Sequence, residues 1–257
     1  MENNFYNIFD SHAHYDDKWF DEDREILLSS MKENGVCGIV NNSVDLKTAK
    51  VCIDFCKKYD FMYGAVGFHP ENLEDMPNDY LDRVAELLKH KKIVAVGETG
   101  LDYHWDISKD LQNRVFEEQI KLSLDVNMPI IVHDREAHGD TLNYLRKYKP
   151  KALVHCFSGS VEMMREVMRY GSYISLGGVV TFKNARHSVE VAKEVPIDRL
   201  LLETDCPYMS PVPFRGKRCD STMIKYTAEK IAEIRNTDVQ ELLNITAENA
   251  KRFYGID

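Results

Sequence analysis

A (β/α)8 barrel is the fold class this sequence predicts. Three observations carry the expectation: short apolar runs recur along the chain, longer amphipathic stretches separate them, and 257 residues is about the length eight such pairs require. Strand ends are expected near Phe9, Val40, Val66, Val96, Val132, Val154, Leu176 and Leu202. Several runs are almost continuously apolar, as in Ile93-Val94-Ala95-Val96, Pro129-Ile130-Ile131-Val132 and Leu200-Leu201-Leu202. Parallel strands covered on both faces read this way. Apolar residues spaced three and four apart predict a helix over 111–126, and Gly171 stops another that covers 161–170. No linker, repeat or low-complexity stretch interrupts the pattern, so a single domain over 1–257 is expected. A doubly wound open sheet built from the same elements is the alternative.

Composition narrows the function. A hydrophobic fraction of 44% with 10% aromatic residues is that of a globular chain and excludes disorder. Lys and Arg number 33 against 42 Asp and Glu, a net charge of −9, which argues against a broad DNA-coating surface. A local nucleic-acid site whose positive charge comes partly from metal ions remains compatible with that balance. Every apolar run is far shorter than the roughly 18 residues of a membrane span, so no membrane partner is expected, and no obligate protein partner is evident. The start, Met1-Glu2-Asn3-Asn4, has neither the basic segment nor the apolar stretch of a signal peptide. Six cysteines without a CxxC pair suit buried thiols in a reducing compartment. A cytoplasmic location follows as the expectation. Cys52 and Cys56, one helical turn apart, read as core packing.

The polar residues behind the apolar runs carry the chemistry. Asp10-Ser11-His12-Ala13-His14 follows the first, and His12 and His14 share one side of an extended chain. Gly67-Phe68-His69-Pro70 follows the third, and Gly97-Glu98-Thr99-Gly100-Leu101-Asp102 the fourth. The fifth ends in His133-Asp134-Arg135, the sixth in His155-Cys156-Phe157-Ser158-Gly159, and the eighth in Glu203-Thr204-Asp205. A barrel brings all these ends to one face, where active sites of this fold sit. Each residue alone has an ordinary reading: a packed rim histidine, a helix cap, or a Glu98–Arg135 ion pair. Together, four histidines and two carboxylates are costly to gather without a compensating charge. Six ligands exceed one tetrahedral site that keeps a position open for water, and they suit two ions with a bridging carboxylate. The remaining histidines, 90, 104, 138 and 187, read as surface residues without partners.

These motifs resemble the TatD-type metal-dependent hydrolases of the amidohydrolase superfamily. Pro213-Phe214-Arg215-Gly216-Lys217-Arg218 is similar to that family's basic loop, and Asn244-Ile245-Thr246-x-x-Asn249 with Phe253 to its last helix. The likeness runs in order from Asp10 to Phe253. Cys219-Asp220-Ser221 departs from it, where the family shows an Asn and a Pro, and this bears on the shape of the substrate pocket. The resemblance implies that His12, His14, Glu98 and Asp205 hold one divalent ion, while Glu98, His133 and His155 hold a second. Zn2+, Mn2+ or Mg2+ would serve. It also implies a deoxyribonuclease, a 3′-5′ exonuclease on single-stranded DNA, with Asp205 accepting a proton from water. Glu203 would orient a ligand or reach the substrate. His69 would donate to a phosphate oxygen or stand as a plain rim histidine. Arg215, Lys217 and Arg218 would grip phosphates, whereas Lys183 and Arg186 suit a solvated loop. Tyr103 and Trp105 would stack on a base or form an apolar lid, and Cys156 and Cys206 follow predicted ligands without a catalytic role. A deacylase acting on aminoacyl-tRNA, or a metal-binding module without turnover, are the other readings of the same residues.

Overall fold

The computed structural model describes residues 5–256; residue 257 and residues 1–4, on which the leader argument rests, lie outside them. Eight parallel strands follow one another around a single sheet in chain order. They are β1 (Ile8–Ala13), β2 (Val36–Asn42), β3 (Met62–Val66), β4 (Ile93–Asp102), β5 (Ile130–Arg135), β6 (Ala152–Val154), β7 (Tyr173–Leu176) and β8 (Leu200–Leu202). The circle closes because Ser11 Oγ donates to the Leu202 carbonyl at 2.8 Å. Beyond β8, the Asp205 N–H donates to His12 O at 3.0 Å and the His14 N–H to Cys206 O at 2.8 Å. The strand order excludes the doubly wound alternative.

Alternation along the strands sorts the core into two layers. Ile130, Val132, Val154, Ile174, Leu200 and Leu202 face outward into the main apolar cluster. Phe9, Val40, Ile131, Leu153 and Leu201 face inward and form a second cluster inside the barrel. That parity decides where the next residues point: on β5, and just past β6 and β8, the positions two beyond Ile131, Leu153 and Leu201 are His133, His155 and Glu203.

Helices supply the outer wall: α1 (Arg24–Ser30), α2 (Leu46–Lys58), α3 (Tyr80–Leu87), α4 (Lys109–Asp125), α5 (His138–Tyr148), α6 (Val161–Arg169), α7 (Arg186–Glu194), α8 (Ile224–Arg235) and α9 (Val239–Tyr254). Their starts are written in the sequence. Ser108, Ser160 and Asp238 cap α4, α6 and α9, and Asp45 with Thr48 forms a capping box on α2. Gly171, at φ +75°, ends the stretch containing α6 as expected. Cys52 and Cys56 are buried on α2, and all six cysteines are free thiols. The last turns of α9 pack Ala247, Ala250, Phe253 and Tyr254 against the inner cluster, and the Tyr254 hydroxyl donates to Ser11 O at 2.8 Å. Among the described residues no helix is long and apolar enough to cross a membrane.

The apolar runs understate the strands. Strand ends read near Phe9, Val40 and Val96 fall at Ala13, Asn42 and Asp102 instead. The ladder continues after the side chains turn polar, so His12, Glu98 and His133 lie within strands and not behind them.

Candidate metal centre

Glu98 is the hub of the strand ends, and its backbone explains why. The β4–β5 pairing loses register between Val96 and Thr99, the sort of irregularity that re-aims a side chain. Flanking Gly97 and Gly100 have φ of +145° and +146°, and a Cβ on Gly100 would lie 2.0 Å from the His133 carbonyl oxygen. Only glycine fits there.

The two oxygens of Glu98 face different histidines. Oε2 lies 3.2 Å from His12 Nε2 and 3.3 Å from His14 Nε2. Oε1 lies 2.8 Å from His155 Nε2, 3.0 Å from His133 Nδ1 and 3.4 Å from His69 Nε2. Asp205 Oδ1 joins the first group, 3.4 Å from His14 Nε2 and 3.7 Å from His12 Nε2. Asp205 sits just beyond β8 with φ +56°, a strained conformation for a side-chain-bearing residue. The six residues expected as ligands are therefore brought together.

Their surroundings fix the protons. His14 Nδ1 donates to the Asn42 carbonyl at 3.0 Å, leaving Nε2 to face Glu98. His133 Nε2 donates to Asp102 Oδ2 at 2.9 Å, leaving Nδ1 to face Glu98. Ring nitrogens are thus turned toward a carboxylate and toward one another, with His12 and His14 Nε2 atoms 3.0 Å apart and His133 Nδ1 3.2 Å from His155 Nε2. Two ring nitrogens at such a distance need positive charge between them, a proton or a cation. The donor set fits divalent cations at both places, with imidazole and carboxylate ligands.

The electrostatics show the same demand. Burial lowers the affinity of His14, His133 and His155 for protons. Asp205 and Glu98 outweigh it at His14, Asp102 and Glu98 at His133, and Glu98 and Glu203 at His155, so all three rings titrate above their ordinary range. Burial opposes ionisation of Glu98, but the charges of His155, His12 and His69 prevail and hold it well below the usual carboxylate range. Asp205 is likewise lowered once the His14 hydrogen bond and the neighbouring imidazoles overcome burial.

Other expected residues take distinct places. His69 Nδ1 accepts the Glu71 N–H at 3.2 Å, which puts the proton on Nε2 and makes it a donor. Glu203 is fully buried, accepts the Cys156 N–H at 2.7 Å and the Ser175 hydroxyl, and lies 3.8 Å from His155 Nδ1. It lines none of the cavity. Asp10 straps β1 to the segment after β8, accepting from Thr204 N at 3.0 Å and Ser221 Oγ at 2.7 Å.

A cavity of about 720 Å³ opens above the centre, and His14, His69, Glu98, His133, His155 and Asp205 contribute to its walls. Arg215, Lys217 and Arg218 do not line it. Arg218 is bound to Asp23 through two hydrogen bonds of 2.7 and 2.6 Å, while Arg215 lies over the Phe182 ring and Lys217 over Phe214. Lys183 is exposed and Arg186 pairs with Glu190 at 3.1 Å. Trp105 and Cys156 are on the cavity wall, whereas the Tyr103 hydroxyl is bound to Asp140. Two histidines read as partnerless are not: His138 lies 2.8 Å from Asp134 and His104 3.2 Å from Glu136.

Sequence reasoning missed Asp102, although it stands in the Gly97–Asp102 motif. Gln112 of α4 pins its backbone, accepting the Asp102 N–H at 2.8 Å and donating to its carbonyl at 2.9 Å. A glutamine ten residues along a helix gave no signal of that role.

A parallel barrel with histidines and carboxylates gathered at its strand ends defines a metal-dependent hydrolase. The comparisons agree, and the chain belongs to the TatD related DNase family, whose model matches residues 9–255. It is 46% identical to the metal-dependent hydrolase YabD of Bacillus subtilis, across 97% of this chain and 100% of that protein. The human protein named 3'-5' RNA nuclease TATDN2 is 29% identical across 97% of this chain and 35% of its own length. The crystal structure of YJJV, a TatD homologue from Escherichia coli, superposes with a TM-score of 0.90 at 27% identity, covering 98% of this chain and 99% of that one.

Proposed function

We propose that this hydrolase is a nuclease that releases nucleotides from the 3′ end of single-stranded DNA, using two divalent cations bridged by Glu98. One observation carries the two-cation reading: Glu98 Oε2 faces His12 and His14 while Oε1 faces His133 and His155. His12, His14, Asp205 and Oε2 would hold one ion; His133, His155 and Oε1 the other. Imidazole nitrogens favour Zn2+ or Mn2+ over Mg2+, which prefers oxygen. When bound, such ions neutralise phosphate oxygens and acidify water.

The remaining chemistry belongs to the chain. Asp205, with its carboxyl held below the usual range and on the cavity wall, takes the proton of the attacking water. His69 Nε2 donates to a phosphate oxygen. Glu203 holds the Cys156 backbone beside His155, so that this ring keeps Nε2 toward Glu98. The family description and the name of the human relative support a nucleic-acid substrate. Arg215 and Lys217 serve phosphates farther along the strand, outside the cavity, and Arg218 supports their loop through Asp23.

Metal-loaded protein given 3′-labelled single-stranded DNA, the matching RNA and an aminoacyl-tRNA tests the reading. Stepwise release from the DNA 3′ end is expected, with Asp205→Asn slower by about 10²-fold. Preference for RNA would correct the substrate. Deacylation without nucleotide release would replace the nuclease reading, and normal turnover by Asp205→Asn would remove Asp205 as proton acceptor.

A further inference from the structure

Besides its histidines, the cavity wall carries a single Lys or Arg side chain among the described residues, and it is not in the basic loop. It is Arg135, the last residue of β5. Its guanidinium makes no hydrogen bond among the described residues. Its one ion-pair contact is Asp102 Oδ2 at 3.9 Å, and that oxygen already accepts from His133 at 2.9 Å. The side chain is 46% exposed. The guanidinium donors are thus left without a hydrogen-bond acceptor among the described residues, at the cavity wall. Asp134, next in the chain, also lines the cavity, with its Oδ2 held by His138 at 2.8 Å.

Trp105 stands beside it. The loop after β4 carries the indole to the same wall, because Asp102 and Arg135 are register partners in the sheet. The guanidinium carbon lies 5.9 Å from the indole ring, and Trp105 is 47% exposed. A large apolar ring held open at a cavity mouth has no stabilising role in the core. It does suit a planar ligand, since base stacking on an aromatic side chain is worth about 1–3 kcal/mol. Arg135 is two residues beyond His133 on the same face of β5, about 6.6 Å farther along the strand. The phosphate next to one held at the metal centre falls within its reach.

We propose that Arg135 and Trp105 form a nucleotide subsite on the β4–β5 side of the cavity, the guanidinium taking the phosphate adjacent to the cleaved one and the indole stacking on its base. This rests on the nuclease reading and adds where the nucleotide next to the cleaved bond lies: against β4 and β5, inside the cavity, with the basic loop after β8 left to phosphates farther along the strand. A guanidinium grips phosphate with paired hydrogen bonds, and stacking does not depend on base identity. The subsite therefore selects an unpaired nucleotide without selecting its sequence.

The chain has two tryptophans, so Trp19→Phe leaves Trp105 as sole reporter. Trp19 does not line the cavity. A short single-stranded DNA with hydrolysis-resistant phosphorothioate linkages is titrated into the metal-loaded variant. Saturable quenching of Trp105 emission is expected. Adding Arg135→Ala should weaken binding about 10- to 100-fold, the scale of charge-assisted hydrogen bonds, and lower the log–log salt slope by about 0.7. Arg135→Lys should restore the slope with only part of the affinity, and melting temperature and metal content should stay at the parent's values. No quenching, or unchanged affinity and slope in Arg135→Ala, overturns the subsite. If that occurs while the parent still digests DNA, the subsite alone fails. Quenching and Arg135 dependence without digestion would uphold the subsite and sink the nuclease reading.

Discussion

Two histidine–carboxylate pairs flank the end of β5, and by distance they are twins. His133 Nε2 is 2.9 Å from Asp102, and His138 Nδ1 is 2.8 Å from Asp134. Each carboxylate raises the pKa of its imidazole, at His133 against strong burial and at His138 as the leading cause. The other ring nitrogen separates them. That of His133 meets Glu98 and His155 inside the barrel, whereas His138 stands on the outer helix α5 with its side chain 43% exposed. A carboxylate can orient an imidazole anywhere on a protein. Convergence of the second nitrogen with other ligands is what makes a metal site.

That contrast can be broken in order of effect. Beneath the site, Leu153→Ala removes an inward side chain two residues before His155 and should cost about 2–5 kcal/mol of stability. Denaturant melts would register the loss, while metal affinity of the folded variant should stay within a few-fold of the parent. A matching collapse of metal binding would mean that the two inner layers are not separable. Asp102→Asn comes next. The amide can present N–H to His133 Nε2 and displace its proton to Nδ1, so metal affinity by competition with a chelator should fall about 10- to 100-fold. Unchanged affinity would reduce Asp102 to a loop residue.

The smallest effect belongs to the outer pair. Protonated His138 favours the folded state because Asp134 raises its pKa above 6.5. Its contribution is full below that unfolded value and is lost as pH rises through the higher folded one. His138→Ala should therefore be less stable than the parent only on the acid side, by under about 1 kcal/mol for a partly exposed pair. Turnover per folded molecule should not change. A stability gap that widened toward alkaline pH would contradict the sign.

The sequence made the barrel legible because inward and outward layers are both apolar over most of each strand. It made the candidate ligands legible because His12, His14, Glu98, His133, His155 and Asp205 each follow closely on an apolar run. What orients them was not. The Asn42 carbonyl that fixes His14 carries no side-chain signal, and Gln112 reaches Asp102 from a helix face that otherwise reads as core. Arg135 invited pairing with Glu98, but it lies by Asp102 instead, at the end of the same strand pair. Arg218 looked available until the fold placed Asp23 beside it, 195 positions away in the chain. Local spacing shows which residues are chemically able; only the closed barrel shows which are already engaged.

The central claim is that Glu98 joins two cation positions, and metal stoichiometry tests it most directly. Metal-free protein titrated with Zn2+ or Mn2+, with bound metal measured by elemental analysis, should saturate at two ions per chain. Glu98→Ala should lose at least one of them and nearly all turnover. Saturation of the parent at one ion, with His133 and His155 unaffected in the imidazole NMR spectrum, would contradict the bridged centre.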